Sequence, residues 1–174
     1  EAHKGVGTVV YVAEDGKYVG RLLVADTLKE GSKKTVERLR AMGVTKIIML
    51  TGDNEETAKG ISKELGLDGC YSGLLPQDKV MVLESLLGEK GKGKVLFVGD
   101  GINDAPVLAR ADVGVAMGGM GSDAAIEAAD LVIMNDEVEK IADAMVIATN
   151  TNRIVNQNIV FALAVKLLVL ALGA

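Results

Sequence analysis

Residues 95–106 read VLFVGDGINDAP, an apolar run that passes directly into a loop with two aspartates, Asp100 and Asp104. The run 95–98 has the length and composition of a buried strand. Polar residues at the carboxyl end of such a strand lie where ligands bind in an open parallel sheet. The two carboxylates suit a magnesium ion, but two aspartates rarely suffice for chemistry by themselves. The stretch therefore predicts a parallel α/β fold whose site needs a further partner.

Strands and helices alternate along the chain on both sides of this stretch. The strand candidates are short apolar runs bounded by turn residues: 46–50, 95–98, 113–117 and 131–134. A helix is predicted from about Glu55 to Leu65, with Asp53 or Asn54 as its cap and Gly66 as its stop, and Pro76 opens another. Their apolar positions recur at helical spacing: Ala58, Ile61, Leu65, and Val80, Leu83, Leu87. The order predicts a parallel sheet with helices on both faces.

Both ends of the chain depart from this alternation. Residues 8–25 predict a β-hairpin around the turn Asp15-Gly16. From Glu137 onward an amphipathic helix is predicted to run into the apolar segment IVFALAVKLLVLALGA (159–174). That segment has 16 residues and is about 24 Å long as a helix. A hydrocarbon core of about 30 Å needs about 20 residues. We interpret it as a membrane helix cut short and the chain as a fragment; the alternative is a buried C-terminal core helix.

The composition excludes some functions. The 174 residues carry a net charge of −5 and show no basic stripe, so no nucleic-acid partner is expected. A single cysteine, Cys70, forms no internal disulfide and is predicted to be a small buried thiol without a metal role. The lysine-rich stretch GEKGKGK (88–94) is predicted to be a solvated surface loop without a binding role.

A second polar cluster, Thr51-Gly52-Asp53-Asn54, follows the strand candidate 46–50. Its chemistry favours phosphoryl transfer, because the Thr51 hydroxyl can donate to a phosphoryl oxygen and Gly52 lets its backbone N–H approach closely. A string of this kind is also a common helix cap, and taken alone it favours that structural role.

The cluster after 95–98 supplies oxygen ligands. Asp100 offers the hard carboxylate that magnesium prefers, and Asn103 and Asp104 can orient ligands or metal-bound water. Lys79, just inside the helix opened by Pro76, offers a compact positive charge to a phosphoryl group, although a lone lysine is usually a surface residue.

These residues resemble the phosphorylation domain of P-type ATPases, which has the haloacid-dehalogenase fold. The matching segments are MLTGDN (49–54), LLPQDKV (74–80), VGDGINDAPVLARADVGVAMG (98–118) and SDAAIEAADLVIM (122–134). The resemblance implies a site for an aspartyl-phosphate, in a protein whose cofactor is Mg²⁺ and whose substrate is ATP. Thr51, Gly52 and Asp53 would belong to the phosphoryl-binding loop, Lys79 would neutralise charge, Asp100 and Asp104 would serve Mg²⁺, and Asn103 would support them.

One departure from the family bears on the whole interpretation. The family's nucleophile is the aspartate of a DKTGT sequence, which occurs nowhere in this chain. The resemblance therefore implies that residues 1–23 are the last strands of a nucleotide-binding domain and that 24–147 are the phosphorylation domain without its nucleophile segment. Residues 148–174 would be a stalk and a truncated transmembrane helix. The missing N-terminal part of the same ATPase is then the expected partner.

The C-terminal segment resembles a membrane helix of the zinc, cadmium and lead exporters. Asn158 is followed eight residues later by Lys166 inside an apolar run, and a lysine there is costly and usually functional. The resemblance implies that both lie in the region of the transported metal; the alternative is a lysine that snorkels to the membrane edge. The complete protein would reside in the plasma membrane, contact lipid through this segment and hold residues 1–150 on the cytoplasmic side.

Three hypotheses follow. In the first, the chain is the C-terminal part of a heavy-metal efflux ATPase and is inactive alone. In the second, it is a soluble phosphatase of the same fold, which would need its own nucleophile and no apolar tail. In the third, it is a non-catalytic module that binds magnesium, phosphate or a partner protein.

Overall fold

The computed structural model describes residues 8–24, 28–99, 102–118, 123–135 and 137–173. Its contacts divide the chain into two units, Glu1–Val138 and Glu139–Ala174. The first unit holds the strands and the short helices, and the second is a single long helix.

The first unit begins with an antiparallel hairpin. Strand β1 (Thr8–Glu14) pairs with β2 (Lys17–Val24). Asp15 and Gly16 between them both have positive φ, 51° and 76°, which is the geometry of the tight hairpin turn that an Asp-Gly pair favours. The predicted hairpin is confirmed.

The rest of this unit alternates helices with parallel strands. The elements are α1 (Ser32–Ala41), β3 (Ile48–Leu50), α2 (Glu55–Leu65), β4 (Gly69–Tyr71), α3 (Pro76–Glu89), β5 (Leu96–Gly99), α4 (Ala105–Leu108), β6 (Val113–Met117), α5 (Asp123–Ala128) and β7 (Leu131–Ile133). One 3₁₀ turn, Ile102–Asp104, precedes α4. The four predicted strands are present: β6 has the predicted bounds, β5 is shifted by one residue, and β3 and β7 are shorter than predicted. β4 was not predicted.

The parallel strands do not form one continuous sheet among the described residues. β3 pairs with β4, and β5, β6 and β7 pair in that order. β3 and β5, the strands before the two polar clusters, thus belong to separate sheets.

Local sequence explains the boundaries of α2. The side chain of Asn54 accepts a hydrogen bond of 3.0 Å from the Thr57 N–H, so Asn54 rather than Asp53 caps the helix. Gly66 ends it with φ of 67°, a conformation that glycine adopts without a steric penalty.

The core lies between the three-stranded sheet and the helices beside it. Leu108, Ala116 and Ala125 form one fully buried cluster, with Phe97 and Val132 packed against it. α4 lies so close to β6 that a Cβ atom built on Gly114 would meet the Leu108 carbonyl oxygen at 2.5 Å. A glycine at this position lets the two elements pack.

The lysine-rich stretch 88–94 corrects one prediction. Residues 91–94 are exposed as expected, but Lys90 is half-buried. Its Nζ lies 2.6 Å from Oδ1 of Asp112, and Asp112 also accepts from the Val95 N–H at 2.8 Å. The prediction of a solvated loop was wrong for 88–89, which end α3. It was also wrong for Lys90, because the acidic partner that anchors it is distant in sequence.

Asp112 should make the stability of the chain sensitive to acid. Its hydrogen bonds to Lys90 and to the Val95 N–H lower its pKa from 3.8 to about 2. Since the folded pKa is depressed, the stabilising contribution is present above the unfolded value and is lost as the pH falls from about 4 through about 2. Thermal unfolding of the chain in mild detergent, followed by circular dichroism from pH 5 to pH 2, should show this loss. Asp112→Asn should flatten the dependence, and an unchanged slope would contradict the assignment.

The second unit is helix α6, which runs without interruption from Glu139 to Gly173. It is long and apolar enough to cross a membrane, and its most apolar window is not buried. The prediction that the amphipathic segment after Glu137 continues through TNTNRIVNQN into the apolar segment is confirmed. Cys70, on β4, is half-buried rather than buried as predicted.

Candidate functional site

The loop after β3 is organised around Thr51. Its hydroxyl donates to Oδ2 of Asp53 at 2.7 Å, and the Asp53 N–H donates back to the hydroxyl oxygen at 3.1 Å. Thr51 is half-buried, whereas Gly52 and Asp53 are exposed. The loop therefore presents a hydroxyl, a glycine backbone and a carboxylate to solvent at the carboxyl end of β3.

Three backbone hydrogen bonds tie this loop to the segment between β4 and α3. The Thr51 N–H donates to the Tyr71 carbonyl at 2.9 Å, the Gly73 N–H to the Asp53 carbonyl at 2.7 Å, and the Leu74 N–H to the Thr51 carbonyl at 3.1 Å. Gly73 has φ of 64°, which suits glycine. This segment leads directly into α3, so the position of the α3 start depends on the loop after β3.

The first turn of α3 is fixed by its own residues. Pro76 occupies the opening position, and the Asp78 carboxylate accepts from the Leu75 N–H at 2.9 Å. Lys79 is the next residue. Sequence reasoning missed Asp78, although an aspartate two residues after a helix-opening proline is a recognisable capping signal.

Lys79 and Asp104 form an ion pair across 25 positions of sequence. Nζ of Lys79 lies 2.7 Å from Oδ1 of Asp104, and the two side chains are only 19% and 10% exposed. A second pair, between Nε of Arg110 and Oε1 of Glu84 at 3.0 Å, also links α3 with the residues after α4. The alternative that Lys79 is an ordinary surface lysine is thus wrong, because Asp104 holds its ammonium group at the start of α4.

Gly99, at the end of β5, makes room for this arrangement. A Cβ atom at Gly99 would lie 2.8 Å from Cβ and 2.9 Å from Oδ2 of Asp104. Sequence reasoning gave Gly99 no role of its own, whereas the structure shows that any larger residue here would displace the Asp104 side chain.

The remaining predicted ligands are less closely held. Asn103 lies in the 3₁₀ turn and is exposed, while Asp100 lies outside the described residues. Within the described part of the chain no three acidic, histidine or cysteine side chains group as a metal site. The structure thus pairs Thr51 with Asp53 and Lys79 with Asp104, and joins the two pairs through residues 71–75.

Asn158 and Lys166 lie on α6, in the second unit. They are about 12 Å apart along the helix axis, at about 1.5 Å per residue. Both side chains are exposed in the isolated chain.

Comparison with known proteins gives consistent matches. The family model of the haloacid dehalogenase-like hydrolases matches residues 1–112. The chain is 54% identical to a zinc-transporting ATPase of Synechocystis sp. over 96% of its length, covering 23% of that protein. It is 52% identical to a cadmium, zinc and cobalt-transporting ATPase of Bacillus subtilis, covering 98% of this chain and 24% of the relative.

A solved structure is similar along nearly the whole chain. It is a zinc-transporting PIB-type ATPase in the E2.Pi state, with a TM-score of 0.81 and 36% identity over 96% of this chain and 27% of the other. The chain therefore spans about a quarter of the length of the relatives it matches. The predicted fold and the resemblance to heavy-metal P-type ATPases are confirmed.

Proposed function

Because the chain belongs to the haloacid dehalogenase-like hydrolases, we propose that it supplies the phosphoryl-stabilising half of the aspartyl-phosphate site in an ATP-driven heavy-metal exporter. The observation that carries the proposal is the ion pair between Lys79 and Asp104. It joins two segments, LLPQDKV and GDGINDAP, that were assigned to one site from their chemistry alone.

The chain's own residues account for recognition of a phosphoryl group. The Thr51 hydroxyl donates to one phosphoryl oxygen, and the Gly52 N–H approaches another at the start of the loop. Lys79 offsets the negative charge of the group, and Asp104 orients the Lys79 ammonium through their 2.7 Å contact. Asn103, in the turn before α4, would support these groups, and Asp53 is hydrogen-bonded to the Thr51 hydroxyl.

The residues at the end of β5 fit Mg²⁺. The loop 99–106 offers carboxylate and amide oxygens and no histidine or cysteine, which is the donor set of a hard cation. Asp100 and Asp104 would hold the ion; since Oδ1 of Asp104 already accepts from Lys79, Asp100 is expected to be the principal ligand. Bound there, Mg²⁺ neutralises charge on the transferring group.

The nucleophile is expected from a part of the protein outside this chain. β3 and β5 each pair with one neighbour among the described residues and belong to separate sheets. We expect a strand from outside the chain to pair with the free edges of both. An aspartate at its carboxyl end would then face Thr51 after β3 and Asp104 after β5. ATP, the substrate of the complete protein, would phosphorylate that aspartate.

The second unit and the relatives' names suggest the transported substrate. α6 can enter a membrane, and its Asn158 and Lys166 would lie near the path of a divalent ion such as Zn²⁺, Cd²⁺ or Pb²⁺. Residues 1–23 would complete a nucleotide-binding domain, 24–147 would be the phosphorylation domain, and 148–174 would begin the membrane part, with residues 1–150 on the cytoplasmic side of the plasma membrane.

The isolated chain is expected to form no phosphoenzyme and to hydrolyse no ATP, because it lacks the DKTGT aspartate. Incubation of the purified chain with labelled ATP and Mg²⁺ tests this. Magnesium-dependent turnover that disappears in Asp100→Ala would contradict the proposal and favour a self-sufficient hydrolase.

The transport function is tested with the complete transporter that contains this chain. In sealed vesicles it should accumulate Zn²⁺, Cd²⁺ or Pb²⁺ when ATP and Mg²⁺ are supplied, and Asp100→Ala should abolish accumulation while leaving the protein in the membrane. Accumulation of monovalent copper instead of these ions would show that the proposed substrate class is wrong.

A further inference from the structure

The hydroxyl of Thr51 has one hydrogen to donate, and in this structure that hydrogen is already engaged. It points to Oδ2 of Asp53 at 2.7 Å, while the hydroxyl oxygen accepts from the Asp53 N–H at 3.1 Å. A phosphoryl oxygen that accepts a hydrogen bond from Thr51 must therefore displace the Asp53 carboxylate.

Among the described contacts, the Asp53 carboxylate accepts a hydrogen bond from Thr51 and does not cap α2. Asn54 performs the capping of α2 through the Thr57 N–H. The Asp53 backbone is held separately, since its carbonyl accepts from the Gly73 N–H at 2.7 Å. Because the side chain is exposed, it can rotate away while the loop keeps its backbone bonds.

We propose that Asp53 is a positioning residue that holds the Thr51 hydroxyl hydrogen while the site is empty and releases it when a phosphoryl group binds. The inference rests on the proposed function, because it assumes that Thr51 binds the phosphoryl group. Binding is opposed until Asp53 turns away, because the Asp53 carboxylate and the incoming phosphoryl oxygen compete for the single Thr51 hydrogen. Asp53 thereby lowers the affinity of the empty site for free phosphate and its analogues.

The competition is tested by a double-mutant cycle with orthovanadate, a phosphate analogue, titrated calorimetrically into the complete detergent-solubilised transporter. Asp53→Ala should bind vanadate about fivefold more tightly than the parent, the factor expected for one net hydrogen bond. Asp53→Asn, which keeps an acceptor oxygen without the charge, should show a smaller gain. In a Thr51→Val background the gain from Asp53→Ala should shrink to less than about twofold, since the competing hydroxyl is absent.

Thr51→Ser keeps the hydroxyl and serves as the conservative background, in which the gain from Asp53→Ala should return. An equal gain with Thr51→Val would show that the Asp53 charge acts directly on the anion and would overturn the inference. Weaker vanadate binding by Asp53→Ala in any background would also overturn it, because Asp53 would then prepare the loop for binding. A parent protein that binds no vanadate and shows no metal-stimulated ATPase activity would overturn the proposed function itself.

Discussion

Replacing Lys79 with methionine is expected to lower the ATP turnover of the complete transporter by about 10²–10³-fold, the loss that follows removal of one preorganised electrostatic contact in other enzymes. Methionine keeps an unbranched side chain, one atom shorter than lysine, and removes its charge. The substitution also leaves the Asp104 side chain, 10% exposed, without its cation, so a neutral ion pair is replaced by an unpaired negative charge near the phosphoryl group. Metal-stimulated phosphate release by the purified transporter measures the effect.

Lys59→Met provides the matched control. Lys59 is also a helical lysine paired with a carboxylate, Glu55, but its side chain is 68% exposed, and exposed pairs contribute little. Turnover of the Lys59→Met transporter should therefore stay within about twofold of the parent. If Lys79→Met lowered turnover no more than Lys59→Met does, Lys79 would not belong to the phosphoryl site.

Gly114→Ala is expected to destabilise the folded chain by about 3 kcal/mol, at the upper end of the usual cost of overpacking. The new Cβ would lie 2.5 Å from the Leu108 carbonyl oxygen and 3.0 Å from its carbonyl carbon. Both are backbone atoms, which cannot rotate away as a side chain can. Gly114 itself is held in place, because its N–H donates to Oδ2 of Asp130 at 2.8 Å and its carbonyl accepts from the Asp130 N–H at 2.9 Å.

Gly60→Ala is the control for this substitution. Gly60 lies inside α2, where a Cβ atom would meet nothing within 4 Å, so alanine should stabilise the chain by up to about 1 kcal/mol through its helix propensity. Urea unfolding of the chain in mild detergent, followed by circular dichroism, compares the two variants. Equal midpoints for Gly114→Ala and the parent would contradict the close packing of α4 on β6.

The patterns that predicted most of the fold are local ones. Apolar runs followed by turn residues marked β3, β5, β6 and β7, and the Asp-Gly pair marked the hairpin. β4 escaped prediction because Gly69–Tyr71 contains only three residues, one of them glycine. Its strand conformation comes from pairing with β3, a long-range interaction that its own sequence does not signal.

The candidate site was predictable to the level of residue types and strand ends. The sequence selected three groups by their position: the hydroxyl of Thr51 and the carboxylate of Asp104, which each follow a strand, and the ammonium of Lys79, which lies in the first turn of a helix. The sequence did not show that Asp104 would pair with Lys79, nor that Asp53 would take the Thr51 hydroxyl and leave the cap to Asn54. The first pairing depends on a long-range approach of α3 to the turn before α4. The second depends on which of two neighbouring side chains turns toward Thr51 and which toward the helix, and the residue types alone do not determine this.

We propose that this chain stabilises a phosphoryl group carried by an aspartate that lies outside it. The most direct measurement is to label the complete transporter with γ-³²P-ATP and Mg²⁺, trap the phosphoenzyme in acid, digest it and sequence the labelled peptide. We expect a hydroxylamine-sensitive label on an aspartate outside residues 1–174. A label on Asp100, Asp104 or any other residue of this chain, or a metal-stimulated ATPase that acquires no label, would contradict it.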